Sequence, residues 1–335
     1  MSDAPRQDSD PHATDTAAEA VGSRYRVSVV VPVFNSAATL VELVDGLREA
    51  LAERYALEVV LVNDGSADGS GAVCRDLAGR HPWVRFVDLA RNFGEHNAVM
   101  AGLCHASGDC AVVIDDDLQN PPGEVSKLVE KLREGHDVVF ARYARKQHSG
   151  LRNLGSRFNN AAASLLLHKE RGLYLSSFKA LNRFLIDEIT RYDGPYPYVD
   201  GLILRVTRRY ATQLVEHRAR SQGRSNYTLA RLLALWLDMF TNFSILPLRV
   251  ASFAGLGFSL IGFVLAVAFA LERLRNPDLP AGWASIAVIL LMVSGVQLFA
   301  LGVIGEYVGR LFLKDNGSPM FVARETVNCD PSPRP

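Results

Sequence analysis

The chain has no surplus charge of either sign: 36 Lys and Arg stand against 36 Asp and Glu in 335 residues. A balanced chain has no long-range field with which to collect a polyanion, so its charge gives no hint of a nucleic-acid partner. Cysteine is also scarce. Cys74, Cys104, Cys110 and Cys329 lack metal-ligand spacing and fall mostly in apolar segments, which points to reduced thiols in the cytosol rather than a disulfide framework. Residues 1–24 (MSDAPRQDSDPHATDTAAEAVGSR) lack an apolar run, so they read as a disordered tail and not as a signal peptide.

Charge is missing altogether from two stretches near the C-terminus. VASFAGLGFSLIGFVLAVAFAL (250–271) has none over 22 residues, and WASIAVILLMVSGVQLFALGVIG (283–305) has none over 23. A helix needs about 20 apolar residues to cross the hydrocarbon core. Both stretches are apolar all round, which favours transmembrane helices over 250–272 and 283–306 against two buried core helices. The linker ERLRNPDLPAG is short, so the pair forms a hairpin whose ends face the side of the soluble domain. Basic residues flank both sides, Arg249, Arg310 and Lys314 on one and Arg273 and Arg275 on the other. The preceding TLARLLALWLDMFTNFSIL (228–246) is too polar to span and too apolar to be solvated. It is expected to lie in the membrane interface, with a buried soluble helix as the alternative. Residues 307–335 are expected to form a cytosolic tail.

Between these segments, residues 25–227 alternate strand and helix. RVSVVVP (26–32), LEVVLVN (57–63), VRFVDL (84–89), CAVVI (110–114) and DVVFAR (137–142) are nearly continuous apolar runs, as strands buried on both faces require. Asn35 or Ser36 can cap a helix carrying Leu40, Leu43, Val44, Leu47 and Leu51. Asn120 can cap another, with Pro121 at its first position and Gly135 at its end. Such alternation gives an α/β fold with a mostly parallel sheet, and ligands of such sheets bind beyond the carboxyl ends of the strands. Three polar clusters fall there: Pro32–Asn35, Asn63–Asp68 and Asp115–Gln119.

The third cluster, in VVIDDDLQNPP, carries the chemistry. If the chain stays extended past Ile114, Asp115, Asp117 and Gln119 project to one side while Asp116 and Leu118 point away. Two carboxylates and an amide oxygen suit Mg²⁺ or Mn²⁺, which take their remaining ligands from water and substrate phosphates. Asp116 would then tolerate alanine. The second cluster, Asn63, Asp64, Gly65, Ser66 and Asp68, is either a turn with side-chain caps or a reader of a base or ribose.

PVFNSAATL, VNDGSADGS, RNFGEHNAVMAGL and DDDLQNPP, in this order, resemble family 2 glycosyltransferases with the Rossmann-like GT-A fold. With the C-terminal hairpin they resemble, more narrowly, the polyprenyl-phosphate glycosyltransferases, over about residues 26–315. The resemblance implies that Pro32, Phe34 and Asn35 line the nucleotide site with Asn63, and that Asp64 lies beside base and ribose. It makes Asp115 and Asp117 the ends of a D-x-D motif, with Gln119 a further metal ligand. Arg142 and Arg152 match arginines near the donor and acceptor phosphates, and Arg220, Gly223, Ser225 and Tyr227 match an acceptor loop. Asn63 stands where many relatives have aspartate, and Asn226 replaces a usual lysine.

The activity so implied is metal-dependent, inverting transfer of a sugar from a nucleotide diphosphate, UDP before GDP, to undecaprenyl or another polyprenyl phosphate. The enzyme would be a multi-pass protein of the inner (plasma) membrane with both termini cytoplasmic. Three alternatives are an inactive membrane scaffold of the same fold, a processive synthase, and a transferase using GDP-mannose or another acceptor. The scaffold should have lost the acidic cluster, which is intact; the synthase should carry Q-x-x-R-W, which is absent. Hairpin glycines (Gly255, Gly257, Gly262; Gly295, Gly302, Gly305) allow close packing within one hairpin or between copies of a homo-oligomer.

Overall fold

A computed structural model of the chain describes residues 24–143, 174–218, 246–275 and 282–329. Expectations for Arg152, Arg220, Gly223, Ser225 and Tyr227 lie outside them, as do those for the tail before Arg24 and the interface segment before Leu246.

The described chain runs β1 (Arg26–Val33), α1 (Leu40–Leu51), β2 (Ala56–Asn63), α2 (Ser70–Arg80), β3 (Val84–Leu89), α3 (Glu95–His105) and β4 (Cys110–Val113). It continues through α4 (Glu124–Arg133), β5 (Val138–Tyr143), β6 (Lys179–Asn182), α5 (Arg183–Ile189), α6 (Val199–Val206) and β7 (Tyr210–Val215). Two long helices, α7 (Leu246–Arg275) and α8 (Trp283–Asp315), precede β8 (Ala323–Val327).

One sheet holds all eight strands in the order β7-β5-β6-β4-β1-β2-β3-β8. Its centre, β4-β1-β2-β3, is parallel. In β1, Val27, Val29, Val30, Val31 and Val33 are all fully buried. Burial on both faces is why the run is continuous instead of alternating, and each valine contributes about 1.5–3 kcal/mol. Helices α1, α2 and α4 cover one face through Leu40, Leu43, Cys74 and Leu128; α3, α5 and α6 cover the other through Met100, Leu185 and Ile203. Helix α3 lies so close to β1 that a Cβ on Gly102 would meet Val30 Cγ1 at 2.3 Å.

Several expectations need correction. The run at 137–142 forms β5, as expected, but the sheet is not parallel on that side. Strand β6 lies between β4 and β5, antiparallel to both, and β7 runs parallel to β5 outside it. Four residues containing a lysine, KALN, give no periodic strand signal. Helix α4 begins at Glu124 and not at Pro121; the Glu124 and Val125 amides close a turn on the Pro121 and Pro122 carbonyls. Asn120 is no cap, because its Oδ1 accepts from Tyr143 Oη at 2.9 Å. Asn35 does not cap α1 either: it adopts a left-handed turn (φ 55°), and Thr39 takes the cap position.

The C-terminal segment is not simply a tail. β8 pairs antiparallel with β3, Met320 enters the core, and Asn328 Nδ2 donates to the Ala78 and Val84 carbonyls. Helices α7 and α8 pack on each other and extend for 30 and 33 residues, past the charge-free runs. Among the described residues one stretch, Val293–Leu313, is long and apolar enough to cross a membrane, and none of it is buried. Phe253 on α7 and Leu298 on α8 are 73% and 69% exposed, an apolar surface that water does not favour.

Candidate active site

The carboxyl ends of β1 to β4 deliver four loops to one edge, and side chains tie them together. Asn35 N donates to Ser66 Oγ at 3.0 Å, and Asn35 Oδ1 accepts from Ala67 N at 2.8 Å. Ser36 N reaches Ser70 Oγ, and Ala37 N reaches Asp68 Oδ2. Burial opposes the charge on Asp68, but hydrogen bonds from Ser70 and the Ala37 amide outweigh it and lower its pKa. Pro32 sits on β1 where β4 has already ended, so no neighbour needs the hydrogen it lacks. Phe34 is 46% exposed above these loops.

Asn63 and Asp64 are buried, and both are engaged in holding loops. Asn63 Nδ2 donates to Asp88 Oδ1 at 2.7 Å, and its Oδ1 accepts from Ser66 N. The two Asp64 carboxylate oxygens accept from the amides of Phe93 (2.7 Å) and Gly94 (2.9 Å). Burial pushes the Asp64 carboxyl up, against the pull of these amides. Gly65 follows with φ +67°, and a Cβ there would lie 2.5 Å from the Asn92 nitrogen, so the turn has room only for glycine.

The acidic run does not stay extended. Leu118 has φ 59° and the chain turns at Asp116–Asp117, with the Gln119 amide donating to Asp117 Oδ1 at 3.1 Å. The turn replaces the strict alternation expected of an extended segment. Asp116 faces the loop after β1, where alanine would lose a hydrogen bond. Its Oδ2 accepts from Phe34 N at 3.1 Å, and its carbonyl accepts from Thr39 Oγ1 at 2.6 Å. Burial, with Asp115 and Asp117 alongside, raises the Asp116 carboxyl to about 6 despite bonds from Ser36 and Phe34. Gln119 Nε2 faces the Arg218 carbonyl, while Arg218 N donates to the Gln119 carbonyl at 2.8 Å.

Carboxyls crowded to this degree make a site that a divalent cation would complete. Among the described residues, no three His, Cys, Asp or Glu side chains are placed to enclose a metal. Two carboxylates and an amide oxygen are donors of the type that hard cations with water and phosphate ligands use. Arg142 is exposed at the carboxyl end of β5.

Several residues of the cleft carried no role in the sequence reading. Ser177 Oγ donates to Asp115 Oδ2 at 2.7 Å. Tyr143 bridges Asn120 and Ser176, lies 4.4 Å from the His217 ring, and is raised to about 12 by burial. Lys179, 3% exposed, pairs with Asp200 of α6. His96 packs edge-on against Tyr198 at 5.1 Å, and burial lowers its pKa to about 4. The available signal was a lysine set among apolar residues in FKAL (178–181).

An open sheet whose carboxyl edge knits nucleotide-loop candidates to an acidic turn defines the GT-A class of glycosyltransferase. A solved structure of this fold is glucosyl-3-phosphoglycerate synthase from Mycobacterium tuberculosis in complex with Mn²⁺, UDP and phosphoglyceric acid. It is 22% identical with a TM-score of 0.50, over 67% of this chain and 78% of that one. Residues 28–190 match the profile of glycosyl transferase family 2. The undecaprenyl-phosphate 4-deoxy-4-formamido-L-arabinose transferase of Pseudomonas aeruginosa is 35% identical over 316 residues, 92% of each chain. The uncharacterized glycosyltransferase YkcC of Bacillus subtilis is 33% identical over 307 residues, 90% of this chain and 94% of its own. The chain belongs to glycosyl transferase family 2, and it is a glycosyltransferase.

Proposed function

We propose that the enzyme transfers a sugar, with inversion, from a nucleotide diphosphate donor to undecaprenyl or a related polyprenyl phosphate at the inner membrane. One observation carries this reading: relatives named for undecaprenyl-phosphate transfer align over 92% of the chain, through both C-terminal helices. The solved fold neighbour holds UDP, which makes UDP the first donor nucleotide to test.

In this reading Pro32, Phe34, Asn35 and Asn63 form the nucleotide wall, and Asp64 holds the loop beyond it. Asp115, Asp117 and Gln119 would hold Mg²⁺ or Mn²⁺. The ion, when bound, neutralises charge on the departing diphosphate. Ser177 fixes one Asp115 oxygen and thereby orients the other. The acceptor phosphate is already an anion, so no general base is required. Guanidinium groups must instead hold it near the anomeric carbon; Arg142, with Arg152 and Arg220 beyond the described residues, are assigned that task. Ser225 and Tyr227 complete the assigned acceptor loop.

The membrane arrangement rests on α7 and α8. The unburied apolar stretch Val293–Leu313 supports a span, and α7 packed against it supports a hairpin. Because β8 rejoins the catalytic sheet after α8, a hairpin that enters and leaves on the cytoplasmic side agrees with the fold. Membranes containing the protein, incubated with labelled nucleotide sugars and undecaprenyl phosphate, should give a labelled lipid. Release of free sugar with no lipid product across the panel would overturn the acceptor.

A further inference from the structure

Glu95 opens α3 on the floor of the cleft. Asp64 fixes its place by binding the amides of Phe93 and Gly94 just before it, and His96, the next residue, packs on Tyr198. Among the described residues, the Glu95 side chain makes no hydrogen bond and no ion pair. Solvent reaches it, yet the cleft walls and the Asp115 charge push its carboxyl up to about 7. Asp200 and Asp116 add to the repulsion, and the one cation acting on it, Lys179, is already paired with Asp200. Nothing in the fold uses this carboxyl, and its neighbours penalise its charge. A group kept at such a cost in a cleft points to a ligand.

Position says which part of the ligand. The loops assigned to the nucleotide are tied to Asp116, on one side of the acidic turn. Glu95 acts with Asp115, Lys179 and Asp200, on the other side. A donor whose nucleotide lies on the first side and whose diphosphate lies over the acidic turn brings its sugar to the second. We propose that Glu95 is a specificity-determining residue that accepts hydrogen bonds from hydroxyls of the donor sugar and rejects sugars bearing a carboxylate. The inference rests on the donor reading above.

The test uses the full-length protein in detergent with Mn²⁺, titrated calorimetrically with UDP, UDP-glucose and UDP-glucuronic acid. The wild type should bind UDP-glucuronic acid at least about 10-fold more weakly than UDP-glucose, since like charges meet in a cleft of low polarity. Glu95→Gln should narrow that gap to under about threefold and leave UDP affinity within about twofold, while Glu95→Asp should keep the gap. A gap that is absent in the wild type, or that survives in Glu95→Gln, overturns the proposal. So does a parallel loss of UDP binding in that variant, which would place Glu95 at the nucleotide. If the wild type binds no UDP at all, the donor reading fails first and the proposal falls with it.

Discussion

Replacing Asp116 separates two effects that the acidic turn combines. Its carboxyl rises from an ordinary 3.8 to about 6, so the folded chain holds a proton there that the unfolded chain has released. Stability from this group is therefore full below about pH 4 and is lost as pH climbs through 6. Two pKa units correspond to about 3 kcal/mol at most, and partial solvent access brings the expectation to about 1–3 kcal/mol at pH 7. Asp116→Asn keeps an oxygen for the Phe34 amide and removes the repulsion. It should raise the melting temperature of the metal-free protein at pH 7 by roughly 2–6 °C and make it less dependent on pH between 4 and 7. Asp116→Ala also relieves the repulsion but leaves the Phe34 amide unpaired, a loss of about 1–3 kcal/mol. Its stability should stay near that of the wild type while UDP affinity falls, because the Phe34–Asn35 loop has lost its tether. Melting curves from pH 4 to 8 and UDP titrations on the three proteins decide the matter. An Asn variant no more stable than the wild type, or an Ala variant with unchanged UDP affinity, would refute the account.

Other consequences can be measured directly. Asp117→Asn should lower transfer to lipid phosphate roughly 100-fold or more with an unchanged circular dichroism spectrum; full activity would remove Asp117 from the metal site. Ser177→Ala removes one hydrogen bond to Asp115 and should weaken Mn²⁺ binding roughly 10-fold, with Ser177→Thr restoring part of it. Gly65→Ala forces a side chain into a left-handed turn 2.5 Å from the Asn92 nitrogen, and should cost about 1–3 kcal/mol in thermal unfolding. Glu325→Ala breaks only an exposed pair with Arg75 and should leave the melting temperature unchanged. Removing residues 318–335 uncovers the β3 edge and should abolish soluble behaviour of the detergent-extracted protein on size exclusion.

The legible part of the fold was the part whose residues had one job. Strands β1 to β5 announced themselves because residues such as Val29 and Val60 only need to be buried. Strand β6 was illegible because Lys179 must pair with Asp200 inside the core, and a buried ion pair is set by tertiary contact, not by period. β8 was missed for a related reason: ARETV is exposed and polar, and only the waiting edge of β3 makes it a strand. At the site, the spacing of Asp115, Asp117 and Gln119 was visible, but the turn at Leu118 was not, since a non-glycine residue at positive φ leaves no mark in the sequence. The bonds from Asp64 to the Phe93 and Gly94 amides were not legible, because they depend on a loop arriving from β3.

The pairing of β8 with β3 also sets a clock. Arg75 and Glu325, which meet across that edge, are 250 residues apart in the chain. At roughly 5–20 residues per second, a ribosome needs about 12–50 s to make the intervening chain. During that interval the β3 edge stands open, and both long helices are made before the last strand exists. The sheet is therefore finished only after α7 and α8 have been made. An enzyme built in that order cannot close the edge of its catalytic sheet until its C-terminal end has been made.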